Sequence, residues 1–299
     1  MIQGHFGEIA SFITAVCWTI TAVAFEKAGR RIGSLSVNII RLVMAFVLIG
    51  LYTTFSRGMF LPLDATREAW IWLTLSGMVG FVIGDLFLFQ AYVEIGSRIS
   101  MLIMATVPPI TALAGFILMG ETLTLVDLLG MFITIGGIAL VVLVRGSTEE
   151  KKVELSHPLK GLVYAFIGAL GQAFGLILSK YGMGAYDAFA ATQIRIIAGI
   201  IGFAVVVTFA KSWGKIYESL KDLNAMKNTT IGAFFGPFVG VSFSLLAVQH
   251  TTTGVASTIM SINRILIIPA AILIFKEKVS MKEIIGALIT VVGVSLLFM

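Results

Sequence analysis

Four ionisable side chains fall inside stretches that are long and apolar enough to cross a membrane: Arg41, Asp85, Arg195 and Arg264. Each such group costs about 2.5–3.5 kcal/mol on insertion scales, so each is a candidate functional residue by default. Arginine carries a planar, permanently charged set of donors that suits carboxylates and phosphates. Three arginines against one aspartate leave an excess of positive charge in the bundle, which predicts an anionic or zwitterionic ligand.

Each of these four residues also has a structural interpretation. Arg41 and Asp85 share a predicted depth on adjacent helices, so Asp85 is either the counter-ion of Arg41 or a group that carries a coupling proton. Arg41 and Arg195 lie near enough to helix ends to snorkel or to cap a neighbouring helix. Arg264 is too central to snorkel, and its position beside Asn263 favours a role in binding.

Several uncharged polar side chains lie at similar depths and complete the predicted set. Glu26 and Glu94 lie at span ends, where water is near, and are expected to be interfacial. The candidate substrate-binding residues are Trp18, Arg41, Asp85, Gln90, Gln172, Arg195, Asn263 and Arg264.

The low charge and high hydropathy of the chain indicate that these residues lie in a membrane protein. Charged residues make up 12% of the 299, the hydrophobic set makes up 58%, and the mean hydropathy is +1.00. A soluble protein needs roughly a quarter of its residues charged, and about 20 apolar residues cross the hydrocarbon layer. We therefore predict an all-α polytopic membrane protein. The ten predicted spans are 8–27, 34–56, 68–93, 97–119, 124–144, 158–180, 187–210, 229–249, 253–275 and 280–298.

Other classes of function find little support. The basic residues lie between apolar runs and not along one face, which argues against nucleic acid as a partner. The lone Cys17 predicts no disulfide and no thiol metal site. The histidines lie near span ends and no carboxylates cluster, so we expect no enzyme, no cofactor and no metal. There is no Walker motif, so ATP is not expected to drive the protein directly.

An internal duplication organises the chain. Residues 80–143 align with 236–299 at an offset of 156, with Gly137 over Gly293 and Thr134 over Thr290. The front halves align at an offset of 154, with Arg41 over Arg195. The aspartate at 85 has Val241 as its mate, so Arg195 has no matching acid. Five helices in each copy require inverted-topology repeats.

The distribution of Lys and Arg between the loops on the two sides predicts the orientation of the chain in the membrane. Loops after the odd-numbered spans carry 15 Lys and Arg against 3 on the other side. The positive-inside rule then makes those loops cytoplasmic in a cell membrane and both termini external, with the first apolar run a retained helix. We predict a first five-helix repeat at 1–145, a cytoplasmic linker at 146–157 and a second five-helix repeat at 158–299. The segment 211–228 has apolar residues at helical spacing, which predicts an amphipathic anchor on the membrane surface.

The chain resembles a ten-helix, EamA-type member of the drug/metabolite transporter superfamily. The resemblance rests on Trp18, on Arg41 and on the run Pro108–Leu140, where a proline-bearing span leads into Gly-Glu and a glycine-rich span. The second repeat departs from the family pattern at Lys276 and at Asn263-Arg264. The resemblance implies secondary transport of a small metabolite, often export, through a site between the two halves.

The partners expected on this basis are a small solute, membrane lipids and, if Asp85 titrates, protons as the coupling ion. An amino-acid-like solute suits the arginine excess better than a sugar. The alternative on the same fold is a flippase for a lipid or a lipid-linked sugar.

Overall fold

The computed structural model describes residues 6–119, 124–145, 153–155, 158–250, 256, 259–276 and 279–296. Almost all of them are helical, and the elements follow the predicted spans. The elements are α1 (Phe6–Ile32), α2 (Ser34–Arg57), α3 (Arg67–Gly77), α4 (Asp85–Ile103), α5 (Val107–Met119), α6 (Leu125–Val142), β1 (Leu143–Arg145), β2 (Val153–Leu155), α7 (Leu159–Met183), α8 (Ala188–Phe209), α9 (Trp213–Ser219), α10 (Leu223–Ala233), α11 (Val241–His250), α12 (Asn263–Phe275) and α13 (Met281–Leu296).

The stretch Arg67–Thr111 is 45 residues of continuous helix by backbone hydrogen bonding. At about 1.5 Å per residue it would be twice as long as a bilayer is thick. Gly96 divides it, because its φ of 80° and ψ of 160° are not helical and favour glycine. Spans three and four therefore meet at Gly96, between the predicted boundaries at 93 and 97. The all-helical, polytopic prediction is confirmed, and the described helices are consistent with ten spans.

Two π-helical segments mark equivalent places in the two repeats. The first, Met78–Gly84, joins α3 to α4, and the second, Phe234–Gly240, joins α10 to α11. They are separated by the same 156 positions that align the repeats. Pro237 lies inside the second segment and supplies no backbone N–H, which loosens the local hydrogen bonding. Each segment ends immediately before one member of a repeat pair, Asp85 or Val241.

The last helices of the two repeats, α6 and α13, contact each other reciprocally. A Cβ on Gly137 would lie 2.4 Å from Thr290 Oγ1, and one on Gly293 would lie 2.4 Å from the Thr134 backbone nitrogen. Gly137 and Gly293 are repeat mates, as are Thr134 and Thr290. Swapping the repeats therefore maps this contact onto itself, which is what a pseudo-two-fold axis between inverted repeats requires.

Glycines bring α7 against the third span at close range. A Cβ on Gly171 would lie 2.5 Å from Gly84 Cα, and one on Gly175 would lie 2.9 Å from Gly80 Cα. Glycines at the contact on both helices allow their backbones to approach this closely. The crossing holds the first π segment against the second repeat.

Ion pairs group the loops at two ends of the bundle. At the end that carries the basic loops, Arg31 Nε lies 2.9 Å from Asp222 Oδ2, and Arg98 pairs with Glu283 at 2.8 Å. At the other end, Arg57 and the Tyr186 hydroxyl both hold Asp64. The basic loops of the two repeats thus share one face.

Besides the spanning helices there are three short elements, the strands β1 and β2 and the helix α9. Strand β1 begins inside the predicted fifth span, whose helix α6 ends at Val142 and not at residue 144. Strands β1 and β2 pair antiparallel, with Leu143 opposite Leu155, at the edges of the predicted linker. Helix α9 forms in the predicted amphipathic segment. Trp213 and Tyr217 are exposed there, while Ile216 packs into the core around α2 and α8.

Candidate functional site

A cavity of about 170 Å³ lies between the two repeats. At about 30 Å³ for each water molecule, it has room for about five or six waters, which suits a solute of amino-acid size. Many of its lining residues are repeat mates. These pairs are Trp18 and Gln172, Arg41 and Arg195, Phe81 and Pro237, Asp85 and Val241, Leu88 and Ser244, Tyr92 and Val248, Met104 and Met260, and Val107 and Asn263.

Asp85 is the acid of the cavity, and both of its carboxylate oxygens are engaged. Arg41 Nη2 donates to Oδ2 at 2.5 Å, and Gln172 Nε2 donates to Oδ1 at 2.6 Å. The side chain of Asp85 is 6% exposed and that of Arg41 is 4% exposed, so this ion pair is buried. A buried carboxylate without such partners would be strongly destabilising. Because Gln172 belongs to α7, the carboxylate also connects the two repeats.

Aromatic rings enclose the guanidinium of Arg41. Its central carbon lies 4.5 Å from the ring centre of Phe89, 5.5 Å from Phe25 and 5.6 Å from Phe81. Asn38, one turn earlier on α2, accepts from Arg41 Nε at 3.1 Å. Ring faces and the amide oxygen fix the orientation of the arginine towards Asp85.

Arg195 reaches the same region from the second repeat. Its guanidinium carbon lies 4.8 Å from the ring centre of Phe81, and its charge acts on Asp85. The residue is 4% exposed, yet its Nε has no hydrogen-bond partner. The alignment gave Arg195 no matching acid, but the fold brings its guanidinium to the ring of Phe81, four residues before the acid of the other repeat.

Arg264 and Asn263 begin α12 and face the cavity. Arg264 Nη2 donates to the Met104 carbonyl at 3.0 Å, which joins the second repeat to the first. Arg264 Nε and Asn263 Oδ1 are both buried without a partner. A donor and an acceptor are thus left unused side by side, and a buried polar group in that state costs about 1–3 kcal/mol unless a ligand or water satisfies it.

The eight predicted residues separate into two groups. Seven of them line the cavity, while Gln90 lies elsewhere. The Gln90 carboxamide accepts from Ser34 Oγ at 2.7 Å and donates to Glu94 Oε1 at 3.1 Å. These bonds satisfy the amide near the end of the bundle that carries the basic loops, so Gln90 connects helices and does not face the cavity.

Sequence reasoning missed the rings that line the site. Phe81 and Phe89 lie four residues before and after Asp85, so all three share one helix face, and this spacing was readable in the sequence. Glu26 was expected to be interfacial, but it is fully buried. Its Oε2 accepts from the backbone N–H of Ser97 at 2.6 Å, at the start of span four. No sequence signal distinguished that role from an interfacial one.

Within the described part of the chain, no His, Cys, Asp and Glu side chains cluster in a way that would hold a metal ion. The chemistry of the cavity is therefore that of fixed charges, amides and rings. Such a site can bind and orient an anion.

Comparison with known proteins agrees with this description. The model of the EamA-like transporter family matches residues 5–143 and again residues 159–299. The chain is 25% identical over 219 residues to an uncharacterized membrane protein, YMR253C, of Saccharomyces cerevisiae, which covers 69% of this chain. The matched region spans about half of the length of that relative, namely 52%. A crystal structure of a protein with 15% sequence identity aligns with a TM-score of 0.62 over 97% of this chain and 95% of the other, which shows a shared fold.

Proposed function

Because the chain belongs to the EamA-like transporter family, we propose that it moves a small anionic or zwitterionic metabolite across the cell membrane by alternating access. The observation that carries the proposal is the charge of the cavity between the repeats. Arg41, Arg195 and Arg264 line it with Asp85 as their acid. Buried cations in excess of buried anions favour an anionic group on the solute.

An amino-acid-like solute suits the arrangement better than a sugar. Arg264 and Arg195 each have an unused Nε donor for a carboxylate, and Asn263 has an unused amide oxygen for an ammonium group. The volume of about 170 Å³ and the surrounding rings accommodate a compact side chain. Uncharged sugars would leave the arginine charges unneutralised.

Export is the direction that we favour, because transporters of this family often export metabolites. The energy source in this proposal is exchange or a proton gradient, with Asp85 as the carboxylate able to carry a proton. Its bonds to Arg41 and Gln172 would have to rearrange for it to do so. The basic loops lie at the cytoplasmic face in this scheme.

Counterflow into proteoliposomes tests the proposal. Liposomes are loaded with a mixture of amino acids, and uptake of the same radiolabelled compounds is compared with uptake of labelled glucose and of labelled putrescine. We expect uptake of at least one amino acid, strongly reduced in Arg264→Gln and unchanged in Arg67→Gln. Arg67 is exposed at the start of α3 and provides a matched control. Uptake of the sugar or the diamine alone, or full activity in Arg264→Gln, would overturn the proposal.

A further inference from the structure

Arg41 and Arg195 occupy equivalent positions in repeats of opposite topology. Each lies seven residues after the first residue of its helix, Ser34 of α2 or Ala188 of α8. The two helices enter the membrane from opposite sides, so the two arginines approach the centre from opposite sides. Their guanidinium carbons lie 5.6 and 4.8 Å from the centre of the same ring, that of Phe81. Two repeat-related cations therefore share one small region.

A single acid serves this pair of arginines. Asp85 follows the first π segment, and the equivalent residue after the second π segment is Val241. Arg41 holds the Asp85 carboxylate directly, while Arg195 acts on it electrostatically and has a buried Nε without a partner. The pairing is unsymmetrical although the arginines are related by symmetry.

The pseudo-two-fold axis relates the two repeats. A second conformation of similar energy therefore results when each repeat adopts the conformation that the other repeat has here. In that conformation Arg195 takes the place that Arg41 holds here. An arginine in that place needs a buried counter-ion, and Val241 cannot supply one. Asp85 is then the acid available to it among the residues that line the cavity.

We propose that Asp85 is an exchangeable counter-ion, which pairs with Arg41 in one conformation and with Arg195 in the other. In each conformation one arginine is neutralised and its mate is left free for the anionic group of the solute. Gln172 supports this arrangement, because its Nε2 holds Asp85 Oδ1 at 2.6 Å and also approaches the Gly80 carbonyl at 3.3 Å. Asp85 is in this sense a positioning residue. The inference rests on the proposed transport function, but it can be tested without a solute.

The test compares labelling rates of two cysteines in the cavity. Met101 lines the cavity near the Gly96 turn, and Val248 lines it near the opposite end, two residues before the end of α11. Met101→Cys or Val248→Cys is introduced with Cys17→Ala, and the protein in lipid nanodiscs is labelled with a water-soluble maleimide. Arg195→Gln keeps Asp85 with Arg41, whereas Arg41→Gln transfers it to Arg195. The ratio of the two labelling rates should therefore move in opposite directions in the two variants, by about 5-fold or more each.

Asp85→Asn provides the control, because without the carboxylate the two arginine substitutions should lose their opposing effects. Where Arg41→Gln fails to elute as a folded protein on size exclusion, Arg41→Lys should shift the ratio in the direction opposite to Arg195→Gln. Ratios that shift in the same direction, or that stay unchanged in Arg195→Gln, would overturn the exchange. Failure of amino-acid counterflow with the opposing shifts intact would remove the proposed solute and leave the exchange in place.

Discussion

The carboxylate of Asp85 and the side-chain amide of Gln172 form a 2.6 Å hydrogen bond that joins the two repeats at the cavity. The bond is possible because glycines let α7 approach the π segment that precedes Asp85, with Gly171 against Gly84. Gln172 and Trp18 are repeat mates, and both line the cavity. The connection therefore exists on one side of the pseudo-two-fold axis, and on the other side the equivalent residues are Trp18 and the apolar Val241.

The buried pair of Arg41 and Asp85 should show strong coupling in a double-mutant cycle. Asp85→Asn leaves Arg41 and Arg195 uncompensated, and removing one partner of a buried ion pair costs about 3–5 kcal/mol. The double variant Arg41→Gln/Asp85→Asn should cost less than the sum of the single changes. Thermal unfolding of the purified variants in detergent measures this difference, and simple additivity would show that the two residues do not depend on each other.

The contact between α6 and α13 predicts opposite results at two adjacent glycines. Gly137→Ala should destabilise the fold by about 1–3 kcal/mol, because its Cβ would meet the Thr290 backbone nitrogen at 2.7 Å and must push the helices apart. Gly136→Ala is the matched control, since nothing lies within 4 Å of that Cβ. It should be neutral or slightly stabilising in the same unfolding assay. Equal effects at the two positions would contradict the close contact.

The spans could be predicted from the sequence because a bilayer demands continuous apolar helices with their backbone groups paired. Such helices are visible in the hydropathy of the sequence alone. Hydropathy placed the boundary between spans three and four within three residues of Gly96. The π segments could not be predicted, since hydropathy does not report whether a carbonyl bonds four or five residues ahead. The strands β1 and β2 were likewise missed, because strands as short as three residues leave little sequence pattern.

The site was predicted in part for a similar reason. Rare polar residues in apolar spans mark a cavity, and seven of the eight predicted residues line one. Which residues meet depends on helix crossings. Repeat alignment left Arg195 without an acid, yet the packing of α8 against the third span brings its guanidinium to the Phe81 ring, which Arg41, the partner of Asp85, also approaches. Gln90 has the same sequence signature as Gln172 but faces Ser34.

Asp222 should make the stability of one end of the bundle dependent on pH. Its pKa lies below the ordinary value, because the Ala225 backbone N–H and then the Arg31 guanidinium hydrogen-bond its ionised form. A pKa that is lower in the folded state than in the unfolded state stabilises the folded state at every pH above the unfolded pKa. This stabilisation disappears as the pH falls through the folded pKa. Asp222→Asn, which keeps an N-cap acceptor, should lower the unfolding temperature slightly at pH 7, and this difference should shrink as the pH falls below the ordinary pKa of an aspartate.

The control for Asp222 is Glu218→Gln, a change of an exposed acid in the neighbouring helix α9. It removes a nearby acidic charge and leaves the bonds of Asp222 to Arg31 and Ala225 in place. A difference between wild type and Asp222→Asn that stays constant from pH 7 to pH 3 would mean that the Arg31 pair contributes no pH dependence.

Sidedness is open to direct labelling. With Cys17→Ala to remove the native thiol, Leu63→Cys and Lys215→Cys place exposed cysteines at opposite ends of the bundle. Because 15 Lys and Arg lie in the loops on the side of Lys215, we expect that side to be cytoplasmic. A membrane-impermeant maleimide on intact cells should label the Leu63→Cys variant, and the Lys215→Cys variant only after permeabilisation. The reverse pattern would invert the predicted orientation.

Arg264→Lys separates charge from geometry at the cavity. Lysine keeps the positive charge but loses the planar set of donors, one of which holds the Met104 carbonyl while the buried Nε is unused. Loss of one charge-assisted hydrogen bond to a solute carboxylate, worth about 1.5–3 kcal/mol, should weaken affinity about 10-fold or more. The affinity of the amino acid found by counterflow is measured in competition. The loss of binding free energy in Arg264→Lys should exceed the loss of unfolding free energy. Arg67→Lys serves as the control, and unchanged affinity in Arg264→Lys would mean that the charge of Arg264 acts without its geometry.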